Sequence, residues 1–211
     1  MVKWEREHKM INNSYKGKFI VFEGIDGCGK STQVKLLANY LKKKKKKILI
    51  TDEPTKGPIG KLTRKALANK IKIDNLGLQM LFMADRAHHL QNEVIPYLKK
   101  GYIVICDRYA FSTIAYGGIK LDINWFITAN KFFLLPDFTF ILKINPKQSL
   151  LRLKKSRSQL EIFEKIKILK RASINYQKIS KVFNNCYLID GEKSIEEVFN
   201  QIKKIIDQKI K

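Results

Sequence analysis

The sequence predicts an α/β fold, a parallel sheet of five strands with helices on both faces. Three observations carry that expectation. First, the apolar segment Phe19–Phe22 runs into a glycine-rich loop and then into residues 31–41, where Val34, Leu37, Ala38 and Leu41 recur with a helical period. Second, residues 102–107 form an unbroken apolar run ending in Asp107, the way a buried parallel strand delivers a carboxylate to the carboxyl edge of a sheet. Third, strands and helices alternate along the chain, which gives a mostly parallel sheet with ligands at the carboxyl ends of its strands.

Taken in order, residues 1–16 are charged and show little periodicity, so they read as a frayed N-terminal extension with Trp4 as a possible anchor. Residues 17–211 then form one domain. After the first helix, residues 48–51 form a short strand that stops at Asp52-Glu53-Pro54, where proline ends the ladder, and residues 56–60 form a loop. A short helix over 58–69 precedes a longer one over 75–100. Leu78, Leu81, Phe82, Leu90, Val94, Ile95 and Leu98 mark the apolar positions of the long helix, and Gly101 closes it. Beyond Asp107, a helix over 122–135 carries Phe132 and Phe133 as core or dimer contacts. A fourth strand over 138–144 leads into a helix from Pro146 that runs into the polar segment 152–159. A helix over 161–182, a strand over 186–189 and a last amphipathic helix with Ile195, Val198, Phe199, Ile202 and Ile205 complete the pattern.

Composition narrows the function. No apolar run reaches the length of a membrane span, and the first sixteen residues lack the hydrophobic centre of a secretory signal. The cysteines at 28, 106 and 186 have no metal-ligand spacing and read as reduced thiols in a cytoplasmic protein. The net charge of +23 raises the question of nucleic acid. The unbroken run Lys42–Lys47 has no interleaved aromatic residues to stack bases, so it reads as a solvated helix end. Specific nucleic-acid binding is not expected, although the charge steers phosphates inward.

The loop itself is Gly24-Ile25-Asp26-Gly27-Cys28-Gly29-Lys30-Ser31-Thr32, with the Gly-x-x-x-x-Gly-Lys-Ser spacing of a phosphate-binding P-loop. Its glycines let backbone N–H groups turn toward a phosphate, Lys30 reaches the outer phosphates, and Ser31 offers a hydroxyl to Mg²⁺. All nine residues are therefore predicted to hold a nucleoside triphosphate, with Asp107 facing them. Phe82 and Arg86 lie four apart on one helix face, offering a ring to stack on a base and a guanidinium for its edge. Arg108 suits a bidentate monophosphate. His88 and His89 have no metal-ligand partner and read as surface or satisfied core residues, and Cys28 sits at a helix N-terminus, which lowers a thiol pKa.

The set Phe22-Glu-Gly-Ile-Asp26-Gly-Cys-Gly-Lys-Ser-Thr, Leu81-Phe82-Met-Ala-Asp-Arg86, Asp107-Arg108-Tyr109-Ala-Phe-Ser112 and Ala115-Tyr116 resembles the thymidylate kinase family in content, order and spacing from residue 17 onward. The resemblance implies a P-loop kinase fold with a lid at about 152–160, and phosphorylation of dTMP to dTDP by ATP and Mg²⁺, supplying dTTP for DNA synthesis. It also implies a homodimer. Phe82 would stack on thymine, Arg86 bond the base edge, Arg108 grip the dTMP phosphate, Asp26 lie near the 3′-hydroxyl and Tyr116 crowd the 2′ position. Glu53 and Ser112 complete the substrate side, Asp107 holds the Mg²⁺ shell through water, and Lys30, Arg108 and Arg157 form the catalytic set. Three departures stand out: no arginine inside the P-loop, none beside Glu53-Pro54 unless Lys56 or Arg64 substitutes, and Gly117 where many relatives carry glutamine. The charge missing from the loop is expected from the lid, where Arg152, Lys154, Lys155 and Arg157 cluster, with Arg157 first. Two other readings remain. One is a deoxynucleoside kinase using Glu53 as a base, and the other is a nucleotide-dependent nucleic-acid-binding protein.

Overall fold

The computed structural model describes residues 10–156 and 165–210. Five parallel strands run β1 (Lys18–Glu23), β2 (Ile48–Asp52), β3 (Ile103–Asp107), β4 (Phe138–Lys143) and β5 (Cys186–Asp190), arranged in space as β2-β3-β1-β4-β5. β1 lies at the centre because Phe19 to Phe22 are apolar on both faces and fully buried, whereas the edge strands leave Ile50 and Leu188 partly exposed. Register brings the carboxyl ends level: Phe22 pairs with Asp107 and Asp52 pairs with Asp107. Acidic residues from three strands thus meet at one edge.

The helices are α1 (Lys30–Lys43), α2 (Pro58–Leu67), α3 (Asn75–His89), α4 (Ile95–Lys99), α5 (Ala110–Gly117), α6 (Ile123–Asn130), α7 (Pro146–Ser156), α8 (Ile166–Val182) and α9 (Ile195–Lys209). The predicted helix over 75–100 is broken by a π turn at Leu90–Val94, directly before Pro96, which has no N–H to donate back along the helix. The helix over 122–135 is shorter than predicted and ends at Asn130, leaving Phe132 69% exposed while Phe133 packs on the core. α5 was not anticipated. Its apolar pairs Ala110-Phe111 and Ile114-Ala115 have helical spacing, but they overlap the polar residues that drew the chemical reading. Residues 10–16 do not fray: Met10 is buried, Ile11 exchanges backbone bonds with Phe133 and Leu135, and Asn13 donates to Asp137 at 2.6 Å. Asp137, which also accepts from Lys18 and the Phe19 amide, is what ties this segment down.

Candidate active site

A cleft of about 790 Å³ opens at the carboxyl edge of the sheet, where β1 passes into α1. Gly24, Gly27 and Gly29 all take positive φ, at 133°, 74° and 99°. A Cβ on Gly24 or Gly27 would strike the backbone of Leu142 or Ser149, whereas one on Gly29 would meet nothing and would stand in the open cradle. Ser149 donates from its hydroxyl to the Asp26 carbonyl and so holds the loop from α7. The first N–H groups of α1 have no intrahelical partner, and the helix field adds to them, so the cradle suits a polyphosphate. Lys30, buried, folds its ammonium onto the carbonyls of Gly24 (3.2 Å) and Ile25 (3.1 Å). Burial pushes the Cys28 thiol pKa up against the opposing pull of Lys30, so the lowering expected from the helix N-terminus does not occur.

Ser31 donates to Asp107 at 2.5 Å, joining α1 to the end of β3. Arg108 follows in a left-handed conformation, φ 73°, held by its amide on the Phe22 carbonyl. That conformation, uncommon for a non-glycine residue, turns the side chain into the cleft. Its guanidinium donates to Asp26 (2.7 Å) and Ser112 (3.0 Å), and the Tyr116 hydroxyl donates to the other oxygen of Asp26 at 2.9 Å. Burial alone would raise the Asp26 carboxyl, but Arg108 and then Lys30 outweigh it and lower it to about 2. With its pKa depressed from the ordinary 3.8, Asp26 contributes stability that is complete above that value and lost as pH falls toward about 2. At neutral pH it is ionised.

Sequence reasoning passed over Glu23, the last residue of β1. Its fully buried carboxylate accepts from the Tyr109 amide (2.9 Å), the Ser112 amide (3.0 Å) and hydroxyl (2.6 Å), and the Tyr176 hydroxyl (2.9 Å). Burial raises its pKa despite these donors. Glu23 anchors the start of α5 and, through Ser112, sets where Arg108 stands.

On the opposite wall, Arg86 is only 1% exposed. Its guanidinium donates to Glu53 (Nε at 3.0 Å, Nη2 at 2.9 Å), Thr113 (2.9 Å) and Asn130 (2.9 Å), and it lies between the rings of Tyr109 and Phe133. These contacts occupy four of its five N–H groups; one on Nη1 is left. The second Glu53 oxygen meets His89 Nδ1 at 3.1 Å. Thr51 gives its hydroxyl proton to Glu93, so it accepts from His89 Nε2 at 2.8 Å, and both ring nitrogens donate. Burial disfavours the charged ring, but Glu53 and Glu93 outweigh it and raise its pKa. His89 is thus a satisfied buried residue, as read from sequence. Asp85, also buried, accepts from the Thr55 amide and hydroxyl, both at 2.6 Å, and locks the segment after Pro54 to α3.

The cleft brings together Asp26, Lys30, Phe82, Arg86, Arg108 and Tyr116, with Asp107 and Ser112 on its wall. Arg64 comes from α2 into the place expected of an arginine beside Glu53-Pro54: it pairs with Asp52 at 2.6 Å and donates to the Pro54 carbonyl. A side chain at Gly117 would collide with the ring of Phe126, at 2.5 Å from a Cβ, so glutamine has no room there. Arg152 lines the cleft; Arg157 lies outside the described residues.

The family model for thymidylate kinase matches residues 22–202. A probable thymidylate kinase of Pyrococcus horikoshii is 39% identical over 92% of this chain and 98% of its own length. The thymidylate kinase of Thermosipho africanus is 40% identical over 90% and 98%. Among solved structures, the thymidylate kinase of Candida albicans superposes with a TM-score of 0.79 at 25% identity, covering 93% of both chains. The likeness runs through the whole described fold, so the chain belongs to the thymidylate kinase family.

Proposed function

We propose that the cleft transfers the terminal phosphoryl group of ATP to dTMP, giving dTDP for dTTP synthesis. One observation carries the reading: a single cavity is lined by the P-loop with Lys30, by Arg108 paired to Asp26 of that loop, and by Phe82 and Arg86 of α3. Triphosphate and nucleoside monophosphate can therefore lie end to end in it. The acceptor phosphate is already anionic at pH 7, so the chain needs cations, alignment and exclusion of water rather than a base. Residues Gly24 to Thr32 cradle the donor, Lys30 moves from its own loop carbonyls to the developing charge, and Arg108 offers its guanidinium to the dTMP phosphate while Asp26 and Ser112 steady it. Asp26 lies near the 3′-hydroxyl, Tyr116 closes the 2′ side, and Glu53 fixes Arg86 so that its remaining N–H meets the base. Ser31 and Asp107 fit Mg²⁺: one hydroxyl and one carboxylate suit an ion that keeps waters and shares phosphates, and among the described residues no group of three or more His, Cys, Asp or Glu is placed to hold a metal ion by itself. Bound there, the ion would neutralise charge between the outer phosphates.

The deoxynucleoside kinase reading needs Glu53 as a free base. Glu53 is buried, and its two oxygens are occupied by Arg86 and by a doubly donating His89, so neither faces the cleft as a free base. Turnover of dTMP against thymidine separates the two readings: the account expects product only from the monophosphate.

Phe82 is half-buried, lines the cleft and stands outside the hydrophobic core cluster. Phe82→Ala is therefore expected to raise the KM for dTMP ~10-fold or more, the scale of one base–aromatic stack, with the KM for ATP nearly unchanged. Equal effects on both substrates would make Phe82 a packing residue. Arg157 is our candidate for the lid cation. Arg157→Ala should lower kcat far more than either KM, and Arg157→Lys should recover only part of the rate, since an ammonium cannot reproduce the planar fork. A normal kcat in Arg157→Ala with a loss in Arg152→Ala would move that role to Arg152.

A homodimer is supported by large apolar side chains left in water, Met80 at 48%, Trp125 at 40% and Phe132 at 69% exposure. A monomer mass in sedimentation would remove it. No described helix is long and apolar enough to cross a membrane, and the three free thiols support a reducing, cytoplasmic setting.

A further inference from the structure

Gln79 lies on α3 three residues before Phe82 and seven before Arg86, so the three side chains share one face of the helix. It is fully buried and borders the cleft, and neither its carboxamide oxygen nor its nitrogen has a hydrogen-bond partner. A buried amide unpaired at both ends is costly, and native folds keep few of them without a reason. The neighbouring polar groups do not supply one. Four of the five Arg86 N–H groups are taken by Glu53, Thr113 and Asn130, the fifth makes no bond to the Gln79 amide, and the oxygens of Glu53 face Arg86 and His89.

A donor and an acceptor side by side, bordering the cleft on the helix face that carries the Phe82 ring, match the edge of a cyclic imide. The pyrimidine base presents a ring N–H next to a carbonyl. Arg86 can only donate, so it serves a carbonyl and leaves the ring N–H without an acceptor. The Gln79 oxygen is an unpartnered acceptor on the same face, and its three side-chain torsions let the amide swing into the cavity it already borders.

We propose that Gln79 is a specificity-determining residue for the acceptor nucleotide: its Oε1 accepts the base N3–H and its Nε2 donates to an adjacent ring carbonyl. The proposal rests on reading the cleft as the dTMP site. Together with the donor-only Arg86, it also disfavours cytosine, whose exocyclic amine would face a donor.

The test uses Gln79→Leu, with Gln79→Met as a second variant of similar length, and two acceptors. These are dTMP and its N3-methyl analogue, which keeps the planar ring and both ring carbonyls but has no N3–H to donate. Wild type should prefer dTMP by ~10-fold or more in kcat/KM, because the analogue leaves the amide oxygen unpaired. Gln79→Leu should raise the KM for dTMP by about 10-fold, keep kcat and the KM for ATP within about 2-fold, and handle the two acceptors alike. Its melting temperature without nucleotide should equal or exceed that of wild type, since an apolar side chain replaces an unpaired polar one. Wild-type preference retained in the variants would overturn the proposal while leaving dTMP as substrate. So would failure of both variants to fold, which would make the amide structural, bridged by water to the unpartnered Asn75 Nδ2. A wild-type enzyme that does not turn over dTMP would remove the proposal and the underlying reading together.

Discussion

Lys30→Ala is expected to lower kcat by about 10²- to 10³-fold or more with the fold intact, because the ammonium stabilises charge that develops on the transferring phosphoryl group. In the structure Lys30 donates to the Gly24 and Ile25 carbonyls and to the Cys28 sulfur, all within its own loop. The loop conformation has other supports: the positive φ of Gly24, Gly27 and Gly29, the Cys28 amide on the Ile25 carbonyl, and Ser149 on the Asp26 carbonyl. Loss of the side chain should therefore leave the melting temperature close to wild type while turnover collapses. Circular dichroism melts beside steady-state rates check both halves, and a near-normal kcat would contradict the role of the loop.

Glu53→Ala should be the most destabilising substitution in the site. It removes the carboxylate shared by Arg86 and His89, both almost wholly buried, and leaves the Arg86 guanidinium without its carboxylate partner while His89 keeps only Glu93. Breaking a buried pair in this way costs about 3–5 kcal/mol, and in a chain of this size that corresponds to a fall in Tm of roughly 6–20 °C. The KM for dTMP should rise as well, since Arg86 loses the contact that orients it. Urea and thermal melts measure the first effect. A loss under about 1 kcal/mol would show that Asn130, Thr113 and the rings of Tyr109 and Phe133 suffice to hold Arg86.

What the sequence made legible was local. The P-loop, Asp107 at a strand end and the Phe82/Arg86 pair each depend on a spacing of a few residues, so their shape is written in the chain itself. Glu23, His89 and Gln79 could not be read that way, because a buried polar residue takes its meaning from partners far off in sequence. Glu23 meets Tyr176 across 153 positions, and His89 meets Glu53 across 36. A weak signal existed for His89, three residues beyond Arg86 on the same helical face. For Cys28 the helix N-terminus is visible in the sequence but the burial that pushes its thiol pKa up is not. Residues 10–16 looked unstructured since their main anchor, Asp137, lies over 120 residues downstream of Asn13. Arg64 reaches across from α2 to Asp52 and the Pro54 carbonyl beside Glu53, a placement that spacing alone leaves open between it and Lys56.

The most direct test of the central claim is ATP consumption measured with each nucleoside monophosphate in turn, alongside thymidine and a polynucleotide. ADP formation should depend on a monophosphate, be greatest with dTMP and be accompanied by one equivalent of dTDP. Consumption driven by thymidine rather than dTMP, or hydrolysis stimulated by the polynucleotide with no phosphorylated acceptor, would contradict it.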